Sequence, residues 1–426
     1  MMSDQFPIII IGGGAAGMIA AWRAGSLGAK VLLLEKNSRL GIKLLISGGG
    51  KCNITHGGGM EPLRLQFRTN EARFLKHSFH EFTNSDILAL LNERGVATYE
   101  RENGKIFPVS HKAGDVVHAL RRMMESAGVE IRLSSAVQEI LHDEHGISGV
   151  NVNGVVLPSR NVIIAAGGSS YAKTGTTGDG FRWAESLGHT IVPLRPALAP
   201  IYLSPPPPAE LQGVALRDCV LNAEIQKRTI AHWRGDLLFT HVGISGPAAL
   251  EVSRDAYVAF ESGTEVTLAV DCVPEKSNEQ LEREFLEHVA ENGTRQVETI
   301  VGQNVPQRLA PYVVQAAGIE SGRKLHQLKK KERQAIANAL KQWRIGTVKE
   351  IPLDRGEVTA GGVSLKEVDP RTMRSRIING LFLCGEVLDI AGPVGGYNLQ
   401  GAFSTGYVAG EAAAALQASI LKNNEQ

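Results

Sequence analysis

The strongest constraint on the fold lies in the first thirty-five residues. Pro7-Ile-Ile-Ile-Ile11 is an unbroken apolar run, followed by Gly12-x-Gly14-x-x-Gly17, an apolar stretch to Leu27, and a second run, Lys30-Val-Leu-Leu-Leu34, ending on Glu35. A strand that is apolar at every position is covered on both faces, which calls for a parallel sheet flanked by helices. The glycine spacing then reads as strand, turn and helix. Gly12 permits the tight turn, Gly14 lets phosphates approach the backbone, and Gly17 allows the helix to pack on the strand; Ala15 and Ala16 belong to the same cofactor-binding turn, and Ala21 keeps the helix face small. Glu35 stands eighteen residues after Gly17, where an acid accepts hydrogen bonds from a ribose diol. An acid there repels a 2′-phosphate, so the expected dinucleotide is NAD or FAD rather than NADP.

Composition chooses between these two. Glycine accounts for 47 of 426 residues, about 11% against roughly 7% in an average protein, without any collagen period. Three further clusters hold much of the excess. Ser47-Gly-Gly-Gly50-Lys-Cys-Asn53, preceded by Lys43, makes a loop whose amides and side chains can hold a pyrophosphate or a flavin ring edge. Ala165-Ala166-Gly167-Gly168 follows a buried strand and continues through Thr174-Gly-Thr-Thr-Gly178-Asp-Gly180. Gly385-Glu386-Val-Leu-Asp389 leads to Gly395-Gly396-Tyr-Asn398-Leu399, and these glycines would open a last helix whose positive end stabilises charge on a reduced flavin. A nicotinamide enzyme of ordinary build needs one such loop, so four favour FAD. No second strand-GxGxxG-helix unit follows residue 17; NAD(P)H, as a transient electron donor, would have to act without its own Rossmann domain.

Helices are expected over 85–94, 113–127 and 407–416, and antiparallel strands over 129–141 and 146–156. After Arg195 the prolines at 196, 200 and 205–208 break the texture, and short alternating segments follow. The fold class expected is therefore α/β: a Rossmann-like FAD-binding domain of the glutathione-reductase type with an inserted β-rich plus helical domain. The boundaries read as 1–194 and 346–426 for the FAD-binding domain and 195–345 for the insertion, β-rich over 195–274 and helical over 275–345.

With 45 basic and 44 acidic residues, the whole chain shows no electrostatic footprint for nucleic acid or anionic lipid, which leaves RNA as a partner only through a local patch. Arg323, Lys324, Lys329, Lys330, Lys331 and Arg333 form the one visible basic run, ordinarily a solvated face. Four separated cysteines indicate neither a disulfide framework nor a metal centre and suit a reducing cytoplasm. Cys52 reads as a packing residue in preference to a redox thiol. No apolar run is long enough to span a bilayer. A small-molecule substrate is expected, and oligomeric state is not legible.

Ser47-Gly-Gly-Gly-Lys-Cys-Asn53, Leu238-Phe-Thr-His-Val-Gly-Ile-Ser-Gly-Pro247 and Gly385-Glu-Val-Leu-Asp389 with Gly395-Gly-Tyr-Asn398 resemble the signatures of the BaiN/YhiN-like flavoproteins, in order and over almost the whole chain. Lys51 departs from a frequent arginine. The resemblance implies that Ala16, Glu35, Lys36, Lys43, Gly49, Gly50 and Asn53 hold the adenosine and pyrophosphate half, with Val137 near the adenine. It implies that Glu386, Asp389, Asn398 and Leu399 grip the ribityl chain and flavin, under a roof formed by the insertion. His241 is a candidate proton donor, against the plainer reading of a structural histidine. The implied reaction is hydride transfer from flavin to an activated carbon–carbon double bond. The alternatives are reduction of a pyrimidine base in ribosomal RNA and a non-enzymatic flavin redox sensor.

Overall fold

The computed structural model describes residues 6–424, folded as two units: residues up to Arg195 together with those from Val358, and Pro196–Glu357. In the first unit five parallel strands lie in the order Leu381–Leu383, Val162–Ile164, Ile8–Ile11, Val31–Leu34, Glu130–Arg132. Every residue of Ile8–Ile11 and Val31–Leu34 is buried, as their unbroken apolar character requires. The chain leaves Ile8–Ile11 toward Val31–Leu34 on one side and returns through Val162–Ile164 on the other. That reversal makes the carboxyl end of Ile8–Ile11 the topological switch point, where open α/β sheets bind ligands.

Two features differ from the sequence expectation here. The stretch 129–141 is not one antiparallel strand: Glu130–Arg132 joins the parallel sheet, and Ser134, with φ of 52°, turns the chain before Val137–Asp143 pairs with Gly146–Val152. The last helix is Tyr397–Asn424 instead of 407–416. Gly401 and Gly406 lie inside it, and a Cβ at Gly406 would run into the Ala16 carbonyl oxygen, as one at Gly410 would into that of Ala20. The closing helix therefore runs parallel to helix Ala15–Ser26 at glycine-limited distance. A small antiparallel sheet, Thr55–His56, Lys105–Pro108 and Thr98–Glu100, completes this end of the unit.

The second unit is a closed antiparallel barrel in the order Ile201–Ser204, Gly243–Ser245, Arg228–Phe239, Ala215–Ile225, Thr267–Asp271, Trp343–Glu350. Helices Pro247–Glu261, Asn278–Asn292 and Lys330–Lys341 share its core, with Val252, Phe285 and Ile336 packed among Leu221, Phe239 and Leu268. Strand Trp343–Glu350 pairs on both sides and closes the barrel, so the chain returns to the first unit at Val358 and not at 346. Without that strand the barrel would keep two open edges.

Candidate functional site: a dinucleotide cradle at the switch point

The cradle begins where Ile8–Ile11 turns into helix Ala15–Ser26. Gly12 has φ of 109°, and a Cβ there would sit 2.5 Å from Ala165 O, so the turn and the neighbouring strand end both require glycine. At Gly17 a Cβ would collide with Gly12 O. Gly14 differs: its φ of −83° and ψ of −171° suit any residue, and a Cβ would have no atom within 4 Å. The protein itself gives no reason for glycine at 14, whereas a phosphate resting on the helix amides gives one. The helix has neither a side-chain cap nor an acidic residue in its first turn, so none of its own side chains satisfies its first amides. Ala15 opens the helix, and Ala16 packs its Cβ beside Gly385.

Glu35 is buried at the end of Val31–Leu34 and already orders the turn. Its Oε2 accepts from Gly13 N at 2.6 Å, and Oε1 accepts from Asn37 N at 2.8 Å and Asn37 Nδ2 at 2.7 Å. A carboxylate accepts at about four lone-pair sites, so room for a ribose hydroxyl remains beside Oε2. Ser135 N donates to Glu35 O and Ser134 N to Asn37 O, which leads Val137 away from this same corner. Lys36 is committed elsewhere, donating to Asp179 Oδ2 and Thr177 Oγ1 at 2.6 Å each. Burial works against ionisation of Asp179, but Lys36, Thr177 and Arg182 outweigh it and hold the carboxyl below its ordinary range.

Lys43 and Glu386, 343 residues apart, meet as an ion pair: Lys43 Nζ lies 2.9 and 2.7 Å from the two carboxylate oxygens and donates to Ser170 Oγ at 2.9 Å. Thr359 N donates to Glu386 Oε1 at 2.9 Å, while Thr359 Oγ1 accepts from Ser169 N and Ser170 N. Gly167, with φ of 72°, follows Ala166 over this pair, and a Cβ at Gly168 would fall 2.8 Å from Glu386 Oε1. The second glycine cluster is a kinked loop with Gly48, Gly49 and Gly50 all left-handed, and Ser47 Oγ donates to Leu44 O. Burial pushes the Cys52 thiol up to about 12, with Ser47 opposing weakly, so it is a packed side chain and no ready thiolate.

The closing helix supplies the far end. Gly385 N donates to Thr405 Oγ1, Gly361 N to Asp389 Oδ1, and Asn398 clamps the preceding loop by accepting from Gly392 N while donating to Gly392 O and Pro393 O. A Cβ at Gly396 would lie 2.5 Å from the Thr55 backbone, so this glycine admits strand Thr55–His56; Leu399 packs on the core. Ala16 faces Gly406, yet Ala15–Ser26 starts one residue before that contact and Tyr397–Asn424 nine before it. At 1.5 Å per residue, the second helix N-terminus projects about 12 Å beyond the first along nearly the same axis.

A dinucleotide fits this arrangement. Two helix N-termini, spaced as two anionic points of one extended ligand, flank the free space at Gly14. Among the described residues, Asn53 Oδ1 and Ser169 Oγ are buried without a hydrogen-bond partner, the state of groups that a ligand would satisfy. Ser170, Thr359 and Thr405 escaped sequence reasoning because each bonds a residue distant in the chain, and Asn37 because no motif marks its bonds to Glu35 two residues before it. His241 lies exposed in the turn between Arg228–Phe239 and Gly243–Ser245, in the other unit. No described helix is long and apolar enough to cross a membrane.

The HI0933-like protein Rossmann domain model matches residues 6–412. A ribosomal RNA dihydrouridine synthase of Escherichia coli is 34% identical over 407 residues, covering 95% of this chain and 97% of that protein. A 3-dehydro-bile acid delta(4,6)-reductase of Clostridium scindens is 31% identical over 408 residues, covering 95% and 98%. Among solved structures, 3-ketosteroid delta1-dehydrogenase from Sterolibacterium denitrificans superposes with a TM-score of 0.54 at 16% identity, covering 96% of this chain and 99% of that one. E. coli quinol fumarate reductase FrdA gives 0.52 at 16%, covering 99% and 72%, and at such identities the likeness concerns the fold alone. Family model, full-length relatives and the dinucleotide cradle agree: the chain belongs to the HI0933-like Rossmann-domain family and is an FAD-dependent oxidoreductase.

Proposed function

We propose that this protein reduces a ring carbon–carbon double bond conjugated to a carbonyl, in a small molecule, with NADH or NADPH as the external donor. One observation carries the reading: the two full-length relatives act on unlike molecules, yet both names denote reduction of such a bond. Bound FAD supplies the hydride. The chain's part is to bind the pyrophosphate at Gly12–Gly17, to hold the adenosine end through Glu35, and to fix the far end with Asp389, Asn398, Leu399 and the amides that open Tyr397–Asn424. The Lys43–Glu386 pair, with Ser47, Gly49, Gly50, Asn53, Ala166, Gly167, Gly385 and Gly396, lines the path between. His241, exposed on Pro196–Glu357, is kept as a candidate substrate contact.

Reduction of a uridine in ribosomal RNA is the second reading, favoured by the identity of the E. coli relative. Against it, Arg323 and Arg333 of the basic run are bonded within the chain, to Glu332 and Leu328 O. Four buried cysteines accord with a cytoplasmic setting. Anaerobic mixing tests these readings. The flavin should bleach with NADH or NADPH, and a ring enone such as 2-cyclohexenone should restore its colour. Recovery only with uridine-containing RNA, lost in K329E/K330E/K331E, would replace the small-molecule reading; no recovery with either would end both.

A further inference from the structure

The polar side chains around the head of the closing helix are nearly all committed to the protein. Asn398 clamps Gly392 and Pro393, Asp389 accepts from Gly361 N, and Thr55 Oγ1 donates to Gln400 Oε1, whose Nε2 donates to Phe82 O and Ser404 Oγ. His56 is different. Its ring stacks on Tyr397, the first residue of the helix, with centroids 4.9 Å apart and planes inclined by 28°. Phe67 meets the same tyrosine edge-on. Nδ1 lies 2.9 Å from Gly57 O, a carbonyl that can only accept, so Nδ1 carries a proton in both charge states of the ring and Nε2 is the nitrogen that exchanges one.

The surroundings leave room for this ring. A Cβ at Gly104 would overlap it, and one at Gly395 would lie 3.5 Å from its Cδ2 and 2.9 Å from the Tyr397 ring. Gly104 has φ of 74° and Gly395 of 136°, so two left-handed glycines, one on the hairpin before Lys105–Pro108 and one at the helix start, flank the edge that carries Nε2. Asn84 Nδ2 donates to His56 O, and strand pairing with Lys105 fixes the backbone. The imidazole is therefore held at both backbone and ring, in a residue that is half-buried as a whole.

We propose that His56 is a catalytic residue of this flavoenzyme, the donor of the proton that accompanies the hydride. The inference rests on the double-bond reading for its acceptor. Hydride, carrying two electrons, adds to the carbon β to the carbonyl, and the flavin is thereby oxidised. The π pair of the C=C bond shifts to the α carbon and the carbonyl. Nε2–H of the His56 imidazolium gives its proton to that α carbon, and the neutral ring, still donating Nδ1–H to Gly57 O, recovers a proton from solvent.

The test has two independent readouts. In 15N-histidine-labelled protein, with His56 assigned by its absence in H56Q or H56N, loading with FAD should shift the Nε2 resonance, which needs no turnover. In stopped flow, H56Q should bind FAD and accept electrons from dithionite within about threefold of the unsubstituted protein, yet transfer hydride to 2-cyclohexenone about 100-fold more slowly or worse. An Nε2 resonance unmoved by FAD, or enone reduction by H56Q within about threefold of the unsubstituted rate, overturns the assignment. If the unsubstituted protein ignores every enone, the double-bond reading falls by itself, and the Nε2 shift still decides whether His56 faces the cofactor.

Discussion

Gly14→Ala separates a ligand's requirement from a fold's. The added methyl meets no atom within 4 Å, and the backbone there is extended, so the apo-protein should lose at most about 1 kcal/mol, the scale of an altered N-cap. The same methyl occupies the space over the helix amides. If it weakens FAD binding about 100-fold, the loss is about 2.7 kcal/mol. At an FAD concentration about 100 times the native dissociation constant, ligand stabilisation would fall from about 2.7 to about 0.4 kcal/mol. Urea unfolding with and without FAD measures both quantities. Gly17→Ala is the control: its methyl would strike Gly12 O and approach Ala165 Cβ to 3.2 Å, so it should destabilise the apo-protein by about 1–3 kcal/mol or more. The reasoning fails if Gly14→Ala retains FAD like the native chain, or if it weakens the apo-protein as much as Gly17→Ala does.

Gly406→Ala should force apart the two parallel helices, costing about 1–3 kcal/mol in urea unfolding and lowering FAD affinity as well, because both helix N-termini move; an unchanged affinity would dissociate helix spacing from the cradle. Cys52→Ala should leave reduction and reoxidation of the flavin intact, and Cys52 should resist iodoacetamide at pH 8 until the protein unfolds, since its thiol is buried and pushed up to about 12. Burial holds the His189 imidazole below its ordinary value, although Glu367 works in the opposite direction. The unfolded chain thus takes the proton more readily. This contribution to stability is complete above about pH 6.5 and declines as pH falls below it. In His189→Gln the urea midpoint should change less between pH 7 and 5.5 than in the native chain, and an equal change would assign the dependence elsewhere.

What the chain's local chemistry dictates is visible without a structure. The all-apolar Ile8–Ile11, the glycines at 12, 14 and 17 and the acid at 35 prescribe strand, turn, helix and strand because each acts through its own backbone or its immediate neighbours. The same holds for the kinked loop at 48–50, where consecutive glycines take φ values that side chains disfavour. A Thr83 and Asp86 capping box likewise marks helix Asn84–Glu93.

The tertiary fold decided what depends on partners far along the chain. Whether Gly406 breaks a helix or allows one to approach Ala16 is settled only by the neighbouring helix, so an expected span of 407–416 fell short of Tyr397–Asn424 by nearly three turns at its start. Strand Trp343–Glu350 resembles the end of a helical stretch until the barrel needs it to close. Ser170 and Glu386 come together because strands Val162–Ile164 and Leu381–Leu383 are sheet neighbours, Lys43 reaches both from helix Ile42–Gly50, and the ring of His56 gains its stack from Tyr397, 341 positions later. Short-range sterics wrote the nucleotide cradle into the sequence; packing between remote segments set the partners of the polar side chains around it.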